Sequence, residues 1–109
     1  MAAKKRTSDK KRTPFPREIR YASDFVDDWE NLERSGKHDM HLVKEAISLL
    51  MMNDGPLPAE WRDHKLTGEW QGFRECHVKG DLLLVYQIRQ KPDYEVIVCS
   101  RAGTHSELF

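Results

Sequence analysis

The 109-residue chain predicts an α+β fold, a single domain with an N-terminal strand and two helices packed on a mainly antiparallel sheet that ends in a strand meander. Three observations carry this. Apolar residues recur at helical spacing in two stretches of the first half. They alternate with period two, between turn signals, in the last third. The length suits one hydrophobic core and not two.

Taking the elements in order, residues 1–16 predict a mobile basic arm rather than part of the core. Large apolar side chains are nearly absent from its first dozen positions, and Pro14 and Pro16 close it. Residues 17–109 form the predicted domain. Glu18-Ile19-Arg20-Tyr21 alternates as a short first strand. Ser23 is placed to cap a helix with Asp24, Asp27 and Asp28 near its positive end. Phe25, Trp29 and Leu32 form that helix's stripe with Val26 beside it, and Gly36 stops it. Asp39 caps a second helix, on which Leu42, Val43, Ala46, Leu49 and Leu50 share a face. Asn53-Asp54-Gly55-Pro56 ends it, and a polar connection runs past Pro58 and His64 to Gly68. Three strands follow: Phe73 to Val78, Leu82 to Ile88, and Tyr94 to Cys99. The first two are joined around Lys79-Gly80-Asp81, a hairpin signal.

Charge and cysteine content narrow the function classes. The chain is neutral overall, but residues 1–20 hold eight basic and two acidic side chains, leaving the rest at −6. The basic arm suits a phosphate backbone. Nothing approaches the length of a membrane span, no apolar segment follows the basic start, and the two cysteines, Cys76 and Cys99, form neither a disulfide framework nor a metal motif. A cytoplasmic location, with no membrane contact, is the expectation.

Histidines carry the chemical signal. His38 and His41 stand three apart around the start of the second helix, but no third ligand is suggested nearby, so no metal site is assigned. On the strand from Phe73 to Val78, placing Cys76 and Val78 in the core exposes Glu75 and His77 together. His64 lies on the preceding loop, Asp81 at the following hairpin, and His105 beyond the last strand. A C-terminal segment folded back over that face brings these groups together. Imidazoles titrate near neutrality and can take a proton from one oxygen while returning one to another. That chemistry suits metal-free transesterification of RNA.

The stretch Asp63-His64-Lys65-Leu66-Thr67-Gly68-Glu69-Trp70-Gln71-Gly72-Phe73-Arg74-Glu75-Cys76-His77-Val78 closely resembles the DHxLxGxWxGxRxxHV block of YafQ toxins. The ending Arg101-Ala102-Gly103-Thr104-His105-Ser106-Glu107-Leu108-Phe109 is similar to their RxGTHxxLF terminus, and Leu57-Pro58 also fits. These toxins belong to the RelE superfamily of bacterial type II toxin–antitoxin systems, and the resemblance covers about residues 18–109. It implies a RelE-like fold and a ribosome-dependent endoribonuclease that cuts messenger RNA in the A site, using no metal or cofactor. It implies His64, His77, Asp81 and His105 as the catalytic set, with His105 as general acid and Asp81 with His64 or His77 on the base side. Phe109 would stack on a base or act as a core plug at the chain end, Arg101 would stabilise phosphate or pair with an acid on the sheet, and Glu75 belongs to the RNA-facing group. The implied partners are a cognate antitoxin, the ribosome with its mRNA, and operator DNA through the antitoxin complex. Two features depart from the family: Glu75 stands where it carries the shorter aspartate, and the body is acidic, with the arm at 1–16 as an extension that restores positive charge. Two alternatives stay open: a ParE-like inhibitor of DNA gyrase, and a catalytically silent partner acting only through its antitoxin.

Overall fold

The computed structural model describes residues 17–52 and 57–109, so the arm at 1–16 and the helix stop at 53–56 lie outside the described residues. The first strand, β1 (Arg17–Tyr21), starts one residue before the expected Glu18 and pairs in parallel with β5 (Glu95–Thr104). Arg17 explains the earlier start. Its buried guanidinium donates from Nε to Glu95 Oε1 at 2.8 Å and from Nη1 to the Leu50 carbonyl at 3.2 Å, tying strand, neighbouring strand and second helix together.

The chain passes from β1 directly into α1 (Ser23–Ser35). Ala22 still donates its N–H to the Cys99 carbonyl at 2.9 Å, while its own carbonyl accepts from Val26 N–H at 3.1 Å. Ala22, in extended backbone, is therefore the N-cap, and Ser23 is the first helical residue rather than the expected cap. Phe25 and Leu32 are buried, Trp29 packs half-buried against the core, and Val26 faces outward. Gly36 ends the helix at φ 68°, the left-handed conformation that glycine adopts without steric cost.

Asp39 caps α2 (Met40–Met52) as expected, its Oδ1 accepting from His41 N–H at 3.0 Å. Val43, Ala46, Ile47 and Leu50 form the buried face, while Leu42 and Leu49 sit half-buried at its margin. The connection that follows is more structured than its polarity suggests. Two 3₁₀ turns, Ala59–Trp61 and Gly68–Trp70, flank a two-residue edge strand, β2 (His64–Lys65). Buried Trp61 plugs the first turn into the core.

The remaining strands are β3 (Arg74–Lys79) and β4 (Leu82–Gln90), giving the sheet order β1-β5-β4-β3-β2. All neighbours except β1 and β5 are antiparallel. β5 runs to Thr104, five residues beyond the expected Cys99, because β4 pairs with it along its full length. A register shift accommodates this: Tyr86 opposes Cys99 while Val85 opposes Arg101, so Ser100 is the extra residue of a bulge. Cys76, Val78, Leu84, Tyr86, Ile97 and Cys99 meet the apolar faces of both helices in one core. Burying each such aliphatic side chain contributes about 1.5–3 kcal/mol before entropy is counted.

Past Cys99, β1 no longer pairs with β5, which would leave an open edge. Asp28 of α1 closes it. Its Oδ2 accepts from the Ala102 N–H at 2.9 Å and from Arg101 Nε at 2.7 Å, and its Oδ1 accepts from Arg101 Nη2 at 3.1 Å. A last helical turn, α3 (His105–Leu108), follows β5 and carries the C-terminal residues back over the sheet. Among the described residues no helix is long and apolar enough to cross a membrane.

Candidate active site

Antiparallel pairing of β2 with β3 sets His64 directly opposite Glu75. His64 Nε2 lies 3.1 Å from Glu75 Oε2, and His77 Nε2 lies 3.9 Å from the same oxygen, beyond direct hydrogen-bond reach. The two imidazole rings stand 6.2 Å apart. On its other side, His64 Nδ1 lies 2.7 Å from the Arg62 carbonyl, a group that only accepts, so Nδ1 carries a hydrogen. Both ring nitrogens of His64 thus face oxygen atoms, Nδ1 the Arg62 carbonyl and Nε2 the Glu75 carboxyl. His77 has no such second acceptor among the described residues, so its ring is less committed.

Glu75 does not share the exposure expected for it. It is 7% exposed, and Oε1 is buried with no hydrogen-bond partner among the described residues. The edge strand beside β3, the loop after it and the C-terminal turn surround the side chain, and the loop is latched by the Leu66 N–H to the Phe73 carbonyl at 2.9 Å. A buried carboxyl oxygen without a partner is costly in a folded protein.

The C-terminus reaches the same region through α3. Thr104 N–H donates to Glu107 Oε1 at 2.7 Å, which starts the helix, and Phe109 N–H returns to the His105 carbonyl at 2.9 Å. The carboxyl of Glu107 is held below its ordinary range by the Thr104 backbone hydrogen bond and then by the Thr104 side chain. The His105 and Phe109 rings lie 5.2 Å apart, and Trp70 meets Phe109 edge-on at 5.3 Å. Leu66, Thr67, Trp70, Glu75, His105 and Phe109 line one cavity of about 220 Å³, open to solvent and walled by aromatic rings. Glu75 therefore belongs both to the histidine pair and to the cavity that His105 and Phe109 enclose.

The other candidates stand apart. Asp81 is exposed in the turn after Gly80, and among the described residues no hydrogen bond or ion pair links it to the histidines. Leu82 opposes Thr104, however, so Asp81 and His105 flank the same end of the sheet. Arg101 is ion-paired, but with Asp28 of helix α1 and not with the sheet acid expected for it. His38 and His41 lie on the helical side, and among the described residues no group of three potential ligands has metal-holding geometry. Burial pushes the Cys99 thiol up to about 12 and the Cys76 thiol higher still, so neither offers a thiolate.

Sequence reasoning missed the network behind His64. Tyr86, fully buried on β4, donates its hydroxyl to Asp63 Oδ1 at 2.6 Å, and Arg74 Nε donates to the same oxygen at 3.2 Å. Burial, followed by the bond to Asp63, raises the Tyr86 phenol far above its ordinary value and keeps it a donor. Trp70, on the loop ahead of β3, packs against Phe73 at 5.2 Å and also forms a wall of the cavity.

The model of the family described as the bacterial toxin of the type II toxin–antitoxin system, YafQ, matches residues 17–109. The mRNA interferase toxin YafQ of Escherichia coli K12 is 37% identical over 93 residues, covering 85% of this chain and 96% of that protein. The crystal structure of YafQ from E. coli BL21(DE3) superimposes with a TM-score of 0.76 at 35% identity, over 85% of this chain and 98% of that one. In the crystal structure of the E. coli DinJ–YafQ toxin–antitoxin complex, the similar chain gives a TM-score of 0.75 at 36% identity, over 86% and 98% of the two chains.

Proposed function

Because the chain belongs to the YafQ family of bacterial type II toxin–antitoxin toxins, we propose that it is an mRNA interferase: an endoribonuclease that cuts messenger RNA in the ribosomal A site. The observation that carries this reading is the cavity shared by Glu75, His105 and Phe109, with His64 and His77 on the other side of the same carboxylate. An acid–base group, His105, on an aromatic-walled space whose carboxyl, Glu75, also faces two further imidazoles suits a phosphodiester whose base is stacked.

In this mechanism His77 takes the proton of the ribose 2′-hydroxyl, assisted by the Glu75 carboxylate. The 2′-oxygen attacks phosphorus, and His105 protonates the departing 5′-oxygen. The products are a 2′,3′-cyclic phosphate and a free 5′-hydroxyl. His64, held between the Arg62 carbonyl and Glu75, donates a hydrogen bond beside the anionic phosphorus centre. Phe109, 46% exposed at the cavity mouth, stacks on a base. Asp81, expected on the base side, is exposed in the turn at the end of the sheet where His105 begins, and no step is assigned to it. Glu75, as an anion, cannot itself stabilise phosphate; its part is to orient and balance the imidazoles. Arg101 acts through Asp28, fixing α1 to the strand that presents His105.

The reaction needs no metal or cofactor, and the protein acts in the cytoplasm. A cognate antitoxin neutralises it, as DinJ accompanies the E. coli toxin in the crystal, and the pair binds operator DNA through the antitoxin. The test is translation in a purified system, with mRNA ends mapped by primer extension. Discrete breaks within the A-site codon that are lost without ribosomes support the reading. Intact mRNA with continuing protein synthesis overturns it and directs attention to gyrase.

A further inference from the structure

We propose that Asp63, clamped by Tyr86 and Arg74, is the positioning residue that holds His64 in its working orientation, an assignment that rests on the proposed active site. Three facts converge on it. First, β2 is only two residues long and lies at the sheet edge, so its pairing with β3 is weak by itself. Yet the His64 side chain, 49% exposed, sits within 3.1 Å of Glu75 and turns its other nitrogen to a backbone carbonyl. Something other than the ladder must fix it.

Second, the carbonyl that receives His64 Nδ1 belongs to Arg62, the one non-glycine residue among those described with positive φ, at 51°. A left-handed arginine costs about 1–2 kcal/mol and persists only where its surroundings over-determine it. On its N-terminal side the restraint is buried Trp61. On its C-terminal side it is Asp63. Arg62 is also the C-cap of the Ala59–Trp61 turn, its N–H bonded to the Ala59 carbonyl at 3.0 Å, and this bond together with the buried side chains of its two neighbours keeps its own carbonyl aimed at the imidazole.

Third, Asp63 is gripped from the sheet interior. Its side chain is almost fully buried, and one oxygen accepts from Tyr86 Oη at 2.6 Å and Arg74 Nε at 3.2 Å. Arg74 opposes Lys65 on one side and Tyr86 on the other, so the clamp spans β2, β3 and β4 in register. The Tyr86 ring is fully buried in the core and moves only with it. Core rigidity is thereby passed through Asp63 to the residue beside it, His64. None of these three groups lines the cavity itself, and Asp63 adjoins His64 in the chain, so the His64 resonances are the readout that isolates the clamp.

The decisive variants are Tyr86→Phe, which removes one hydroxyl and keeps the packed ring, and Asp63→Asn, which keeps the shape and weakens the acceptor. Arg74→Ala provides a third route. Cleavage on programmed ribosomes is measured as kcat and KM, and the His64 ring ¹⁵N and ¹H resonances are recorded on the same full-length proteins. The expected result is a fall in kcat of about tenfold, with KM for ribosomes unchanged, since small misplacement of a catalytic group is costly while docking is untouched. His64 signals should shift toward those of a solvent-exposed imidazole while the His105 signals stay in place. Wild-type kcat and unshifted His64 signals in any folded variant of the clamp overturn the proposal. A parallel His64→Ala protein separates the two claims. If it is inactive while the clamp variants are normal, the clamp assignment fails and the site stands. If it is fully active, the site assignment of His64 fails, and the resonance shifts alone still judge the clamp.

Discussion

Gly103 shows how a single atom can govern the C-terminus. Its backbone has no positive φ, so conformational freedom is not the reason for glycine here. A Cβ at this position would stand 3.1 Å from Glu107 Oε1 and 3.3 Å from Leu108 Cδ2, both on α3. Gly103→Ala should push α3 outward and cost about 1 kcal/mol, at the low end for overpacking. Thermal unfolding and the Phe109 ring resonances measure that shift, and cleavage should drop because His105 and Phe109 ride on the same turn. The family block around Gly103 was legible as a motif, but its physical reason was not, since nothing in the spacing announced a helix after Thr104. Glu75 was misjudged for a similar reason. Strand alternation assigned its face correctly, whereas the elements that surround it include an edge strand too short to leave a periodic pattern. Asp63 and Tyr86 lie far apart along the chain, and only the sheet register brings them together.

Among the elements, β5 is the one on which the site depends most, and glutamates pin both its ends. Glu95 is held below the ordinary carboxylate range by its hydrogen bonds from Arg17 and then Gln90, and Glu107 by those from Thr104. A carboxylate whose folded value is depressed adds stability that is present above its unfolded value, about 4.3 for glutamate, and is lost as pH falls through the lower folded value. Urea midpoints should therefore be level near neutrality and decline below about pH 4.3. In Glu95→Gln the decline should be shallower. Both groups are largely solvent-screened, so each effect will be small. Arg17 is different, because its guanidinium is buried and also serves the Leu50 carbonyl. Arg17→Met should cost about 2 kcal/mol by leaving both acceptors short of a donor; denaturant unfolding reads it. Both main helices and the hairpin could be read from periodicity and glycine placement. The extension of β5 beyond Cys99 could not, because the bulge at Ser100 interrupts the alternation that would have signalled it.

For the whole molecule, charge separation is the open variable. Residues 21–109 carry 10 basic and 16 acidic side chains, a poor match for ribosomal RNA, while residues 1–20 are strongly basic. If the arm at 1–16 binds phosphates, its removal should weaken ribosome binding and flatten the dependence of log K on log salt. The slope should change by about 0.9 for every phosphate the arm neutralises. An unchanged slope in a filter-binding titration would show that the arm is not used. The central claim concerns chemistry, and the fragment ends test it most directly. Ribosome-bound mRNA cut by the wild-type toxin should carry a 2′,3′-cyclic phosphate upstream and a free 5′-hydroxyl downstream. His105→Gln and His77→Gln should each lower the single-turnover rate by at least about a hundredfold while leaving antitoxin binding intact. Fragments with a 3′-hydroxyl and a 5′-phosphate, or wild-type rates in both variants, would contradict the account.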